Sequence, residues 1–113
     1  MKYLILAVTL TLASSPVLAH SKANAMMPVD GTSIVDAPEN IMLNFANDIR
    51  LTKVELVFGE GEAEELDLGN QTAFAKEYTV PMTDMGTGSY LVAWRGLGND
   101  GHPMQGEFSF VVE

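Results

Sequence analysis

Two histidines and one aspartate of this 113-residue chain are candidate metal ligands. His102 follows Asp100 by two positions. Residues i and i+2 of an extended segment project from the same side, so both side chains could face one ion. His20 becomes the first residue of the mature chain if cleavage occurs after Ala19. Its α-amine and its imidazole Nδ1 would then chelate a single metal ion, because a metal displaces the amine proton near neutral pH.

Together these residues offer three nitrogens and one carboxylate oxygen, a donor set that in a tetragonal arrangement suits Cu(II). The alternative is that His20 is incidental beside a cleavage site and that His102 is an ordinary loop histidine. Spacing alone leaves both interpretations open, since the fold has to bring the distant segments together.

Residues 1–19 have the layout of a secretory signal peptide. Lys2 precedes an apolar run that ends at Ala13, and small residues precede a cut after Ala19. The run is shorter than the roughly 20 apolar residues of a membrane span, although a membrane-anchored N-terminus is the alternative. We therefore expect a signal peptide at 1–19 and one exported domain at 20–113.

The composition excludes several classes of function. The chain has 15 acidic and 6 basic residues, a formal charge of −9, which argues against a nucleic acid or an anionic membrane surface as partner. Because cysteine is absent, disulfides, thiolate metal sites and cysteine nucleophiles are excluded. The sequence also contains neither a Gly-x-Ser-x-Gly elbow nor a glycine-rich phosphate loop.

The chain after residue 20 is predicted to form short strands. Apolar residues alternate with period two in four segments: Ile41–Phe45, Val54–Phe58, Tyr90–Trp94 and Phe108–Val112. Weaker strands are predicted at Ala75–Val80, around Glu65–Leu68 and just after His20, and Val29–Ala37 is predicted to be an irregular crossing. About seven strands separated by glycine-rich turns favour an all-β, immunoglobulin-like Greek-key barrel or sandwich.

The acidic stretch Glu60–Asp67 is interpreted as a hydrated hairpin tip. A hard-cation site with oxygen ligands is the alternative, but the spacing of a calcium loop is absent. The methionines at positions 26, 27, 82, 85 and 104 are interpreted as gap-filling side chains, and Met104 is the one near His102.

A resemblance to a known family is carried by a series of features along the chain: the post-signal His20, Met27–Gly31, Pro38 followed by the strand Ile41–Phe45, Gly88–Arg95, Asp100–Pro103 and Gly106–Phe110. In this order they resemble the CopC family of periplasmic copper-binding proteins over essentially all of 20–113. The resemblance implies a seven-stranded Greek-key barrel of immunoglobulin-like shape in the periplasm. It also implies one Cu(II) per chain in a histidine brace. His20 would supply the amine and a ring nitrogen, His102 a second ring nitrogen and Asp100 a carboxylate.

The resemblance further implies a partner and two departures. Relatives often act beside an inner-membrane CopD-like copper transporter. Some carry a methionine-rich loop that binds Cu(I), but the corresponding Phe58–Glu64 contains neither Met nor His, which predicts a Cu(II)-only member. Asn47 stands where relatives often have an acid, and this would alter hydrogen bonding near the site.

We therefore expect a monomeric periplasmic carrier, chaperone or buffer for Cu(II), and not an enzyme. One alternative is an immunoglobulin-like interaction module with incidental histidines. Another is a histidine-brace monooxygenase, but the carboxylate of Asp100 would fill the open copper position that oxygen activation requires.

Overall fold

The computed structural model describes residues 24–70 and 72–113, so the predicted signal peptide (1–19) and His20 lie outside the described residues. The described chain contains seven strands: β1 (Asn24–Met27), β2 (Thr32–Ile34), β3 (Asn40–Phe58), β4 (Glu64–Glu65), β5 (Ala75–Pro81), β6 (Gly88–Gly98) and β7 (Pro103–Val112). In this part of the chain no helix is long and apolar enough to cross a membrane. The prediction of an all-β fold with about seven strands is confirmed.

All seven strands belong to one curled sheet. Strands β1, β3, β6, β7 and β2 follow one another across it, while β4 and β5 pair with β3. Every pairing is antiparallel except that of β2 with β7. The first part of β3 pairs with β1 and β5, and its last part pairs with β4 and β6, so this strand links the beginning of the domain to its C-terminal hairpin.

The core follows from period-two alternation, since successive side chains of a strand point to opposite faces. Every second residue of the four predicted segments faces the core, and all of these are buried except Phe58, which is partly buried and packs against them: Ile41, Leu43, Phe45, Val54, Leu56, Phe58, Tyr90, Val92, Trp94, Phe108, Phe110 and Val112. Aromatic contacts join the strands. Phe45 of β3 packs edge to face against Trp94 of β6, with 4.9 Å between the ring centroids. Tyr90 of β6 stacks on Phe110 of β7, with 5.1 Å between the centroids.

Strand β3 is a correction to the sequence analysis, which predicted two separate strands at Ile41–Phe45 and Val54–Phe58. The pairing of β3 with β6 shifts between Leu51 and Lys53, which leaves Thr52 as an extra residue. The Thr52 hydroxyl donates to the carbonyl oxygen of Arg95 at 3.1 Å. One extra residue exchanges the two faces of a strand, so the alternation changes phase although the strand continues.

The prediction of an irregular Val29–Ala37 is wrong at its centre, where β2 pairs in parallel with β7. The amide of Glu113 also donates to the carbonyl oxygen of Ile34 at 2.8 Å. A three-residue strand is too short to show an alternating pattern, so only its partner reveals it. Conversely, the strand predicted around Glu65–Leu68 is only the two-residue β4.

Tyr78 of β5 is hydrogen-bonded to the backbone of β3 where that strand approaches the hairpin of β6 and β7. Its ring is buried, and its hydroxyl donates to the carbonyl oxygen of Ile49 at 2.7 Å and accepts from the amide of Leu51 at 3.3 Å. Ile49 pairs with Gly98, the last residue of β6. Tyr78 therefore helps to fix the end of the barrel at which the β6–β7 loop begins.

We predict that Tyr78→Phe lowers the free energy of unfolding by about 1–3 kcal/mol, because it leaves buried backbone groups without their hydroxyl partner. Urea denaturation measures this change. The matched control is Thr79→Val at the exposed neighbouring position, which we expect to stay within about 0.5 kcal/mol of the wild type. Equal stability of the two variants would contradict the assignment of Tyr78 as an anchor.

Candidate metal centre

The loop between β6 and β7 is a tight hairpin that carries Asp100 and His102. The amide of Gly98 donates to the carbonyl oxygen of His102 at 2.9 Å, and the amide of Gly101 donates to the carbonyl oxygen of Gly98, also at 2.9 Å. Gly101 has a φ of 82°, the left-handed conformation that a three-residue hairpin loop requires and glycine adopts most readily. The glycines therefore define the loop, and the loop places Asp100.

Both carboxylate oxygens of Asp100 contact His102. Oδ1 accepts from the backbone amide of His102 at 3.0 Å, which forms an Asx turn. Oδ2 lies 2.8 Å from the imidazole Nδ1. This contact fixes the ring with its Nδ1 proton directed at the carboxylate, so that Nε2 is the nitrogen left to accept a metal ion.

The pair lies at the surface, where a metal ion from solution has direct access to it. The side chains of His102 and Asp100 are 80% and 68% exposed. The hydrogen bond between them raises the pKa of His102 above its ordinary value, and the charge of Asp100 adds to this. The same side-chain hydrogen bond, together with the backbone amide of His102, lowers the pKa of Asp100. At such exposure salt screens the attraction, so the contact orients the ring more than it stabilises the fold.

The sulfur of Met104 is also beside this loop. Gly98 has no side chain, and the position that a Cβ would take there is 3.0 Å from Oδ1 of Asp100 and 3.3 Å from Sδ of Met104. Met104 is near His102 in sequence as well. The structure shows that its thioether and the carboxylate border the same glycine.

Not all the predicted residues meet at this loop. His20 is outside the described residues, and Asn47 lies exposed in β3, between the register positions of Asn44 and Ile49 where the pairing shifts. Over 24–70 and 72–113, no group of three or more His, Cys, Asp or Glu side chains is arranged to hold a metal ion. Among the described residues Asp100 and His102 therefore form a pair without a third such side chain beside them, and the acidic side chains of Glu60–Asp67 are not arranged around an ion.

Met42 is a residue that the sequence analysis omitted. It lies directly opposite Met27 in the register of β1 and β3, and both side chains are exposed. The sequence could have predicted that Met42 is exposed, because it lies between Ile41 and Leu43, and successive side chains of a strand point to opposite faces. These two methionines form a second place where thioether sulfurs are accessible.

Comparison with known proteins now identifies the family. A profile described as the CopC domain matches residues 23–113. The chain belongs to the CopC family. Copper resistance protein C of Xanthomonas campestris pv. juglandis is 31% identical to it over 115 residues, which cover 94% of this chain and 90% of that relative. Protein YobA of Escherichia coli strain K12 is 25% identical over 117 residues, which cover 100% of this chain and 94% of that relative.

Solved structures of the CopC family have the same fold. The crystal structure of CopC from Methylosinus trichosporium OB3b superposes with a TM-score of 0.68 at 22% identity, covering 79% of this chain and 89% of that chain. PcoC, a methionine-rich copper resistance protein from Escherichia coli, superposes with a TM-score of 0.55 at 24% identity, covering 79% and 94%. The predicted CopC resemblance and the predicted barrel or sandwich fold are both confirmed.

We predict that in the metal-free protein His102 titrates above the usual pKa of histidine and that Asp100→Asn returns it towards that value. The folded-state pKa of His102 is raised, so the small stabilisation from its ion pair is present when the ring is protonated and is lost as pH rises through that pKa. On the acidic side the pair is lost as pH falls through the lowered pKa of Asp100. NMR titration of the His102 ring protons measures this, and identical titration of both proteins would show that the contact does not form in solution.

Proposed function

We propose that this protein binds one Cu(II) ion in the periplasm and acts in copper homeostasis as a carrier, chaperone or buffer, without catalytic turnover. The observation that carries the proposal is the contact between Asp100 and His102, which leaves Nε2 of an exposed ring free for a metal ion. Copper as the cargo is supported by the CopC family and by relatives named copper resistance protein C.

The proposed ligands are His102, Asp100 and a His20 that begins the processed chain. Imidazole is a suitable ligand for copper, and tetragonal coordination by nitrogen and oxygen favours Cu(II). His20 would supply both its α-amine and a ring nitrogen, which lowers the ordering cost for each bond formed. The contact at Nδ1 lies on the side of the ring away from Nε2, so Asp100 would have to turn its carboxylate from Nδ1 to the ion in order to bind it together with His102.

The strand register supports the approach of His20 to this loop. Asn24 of β1 is opposite Phe45 of β3, and four residues further along β3 Ile49 is opposite Gly98. β1 runs antiparallel to β3. If this pairing continued for the four residues before Asn24, about 13 Å at the rise of a strand, His20 would lie opposite Ile49.

The packing beside Phe45 supports the same approach. Its ring touches Trp94 of β6 at 4.9 Å, which ties the start of the domain to the strand that leads into the loop. The start of β1 and the end of β6 are thus both held against β3, and a His20 that continued β1 would reach the β6–β7 loop without a rearrangement of the sheet.

In this proposal, removal of the signal peptide and the negative charge of the chain determine where the protein binds copper. The amine ligand exists only after a signal peptide of 1–19 is removed, so the site is complete only outside the cytoplasm. The formal charge of −9 attracts cations over a distance limited by salt screening. We propose a monomer that exchanges copper with an inner-membrane transporter of the CopD type, which is the partner that the family implies.

We predict that one extra residue before His20 weakens Cu(II) binding by about 100-fold, because it converts the amine ligand into an amide and loosens the whole site. A competition titration with a chelator measures the affinity, with quenching of the single tryptophan, Trp94, as the optical signal.

The matched control for this variant carries the same extra residue after Glu113 and should bind as the processed protein does. Equal affinity of the two extended proteins would exclude the amine as a ligand. If the processed protein itself binds no Cu(II), the copper site as a whole is excluded and the interaction-module alternative remains.

A further inference from the structure

Met104 has the placement of a ligand more than that of a gap-filling side chain. It is opposite Gly96 in the register of β6 and β7, and its sulfur lies 3.3 Å from the position that a Cβ on Gly98 would take. Met104 remains 38% exposed although it belongs to the core-facing series of β7, and Gly98 has no side chain to cover its sulfur. A methionine that only filled a gap in the core would be buried.

The thioether is also close to the proposed copper donors. Oδ1 of Asp100 lies 3.0 Å from the same Cβ position on Gly98, so carboxylate and sulfur border one small space. His102 directly precedes β7, and Met104 is the second residue of that strand. The sulfur of Met104 therefore borders the carboxylate that contacts the imidazole of His102, at the start of β7.

We propose that Met104, together with His102, binds copper in its reduced state, so that the same end of the barrel accepts both Cu(II) and Cu(I). The inference rests on the proposed function in one respect, that His102 is a copper ligand. Thioether sulfur is a soft donor that selects Cu(I), whereas carboxylate and amine donors favour Cu(II). An ion supplied as Cu(I) would be held by Met104 and His102, and an ion supplied as Cu(II) by His102 with the oxygen and amine donors, so His102 would belong to both sites.

This proposal revises the expectation of a Cu(II)-only protein. That expectation came from Phe58–Glu64, which contains neither Met nor His. Phe58 pairs with Tyr90 near the start of β6, whereas Met104 pairs with Gly96 near its end. The two regions thus lie towards opposite ends of the strand, and the lack of sulfur in one does not affect the other.

The test compares Met104→Leu with the wild type in anaerobic titrations with Cu(I) buffered by a competing chelator, and in parallel titrations with Cu(II). The substitution removes the sulfur while nearly preserving volume, so the melting temperature should change little. We expect Cu(I) affinity to fall about tenfold or more and Cu(II) affinity to stay unchanged. X-ray absorption at the copper edge should show a sulfur neighbour in the Cu(I) wild type and none in Met104→Leu.

The matched control is Met85→Leu, since Met85 is 37% exposed and precedes β6, at the end of that strand away from Gly98. Met85→Leu should keep the wild-type affinities for Cu(I) and Cu(II) and the sulfur neighbour of Cu(I). The inference is overturned if Met104→Leu keeps the sulfur neighbour and the Cu(I) affinity, or if these are lost in Met42→Leu, which would assign Cu(I) to the opposed Met27 and Met42. Failure of the wild type to bind Cu(II) would instead overturn the proposed function on which the inference rests.

Discussion

The contact of 2.8 Å between Oδ2 of Asp100 and Nδ1 of His102 is the interaction on which the account depends. An exposed histidine would otherwise sample many ring orientations and present either nitrogen to solvent. The carboxylate removes that freedom, because its other oxygen is already fixed by the amide of His102 at 3.0 Å. A short hairpin thereby presents one defined nitrogen at the end of a rigid barrel.

The rest of the fold serves to hold that hairpin and the start of the domain at one end. β3 pairs with β1 near its beginning and with β6 further along, so a single strand positions both segments. Tyr78 fixes β3 next to Ile49, and the edge contact of Phe45 with Trp94 joins β3 to β6. At Gly98 the absence of a side chain brings the sulfur of Met104 and a carboxylate oxygen of Asp100 beside the same backbone position.

The sequence predicted those features that depend on near neighbours. Alternation identified the core faces of β6 and β7, and a glycine turn with Asp100 two residues before His102 was enough to pair these side chains. The continuity of β3 was hidden because an extra residue at Thr52 reverses the alternation. β2 was missed because three residues carry no period and its pairing with β7 is set by tertiary structure. The meeting of His20 with His102 joins distant parts of the chain and stays a prediction.

The most direct measurement is a count of the imidazoles bound to the ion, made by pulsed electron paramagnetic resonance on the processed protein with one equivalent of Cu(II). The remote nitrogens of coordinated rings give a modulation that distinguishes one ring from two. The account predicts two rings in the wild type and one in His102→Ala. A single ring in the wild type, or a spectrum that His102→Ala leaves unchanged, would contradict the convergence of His20 and His102 on one cupric ion.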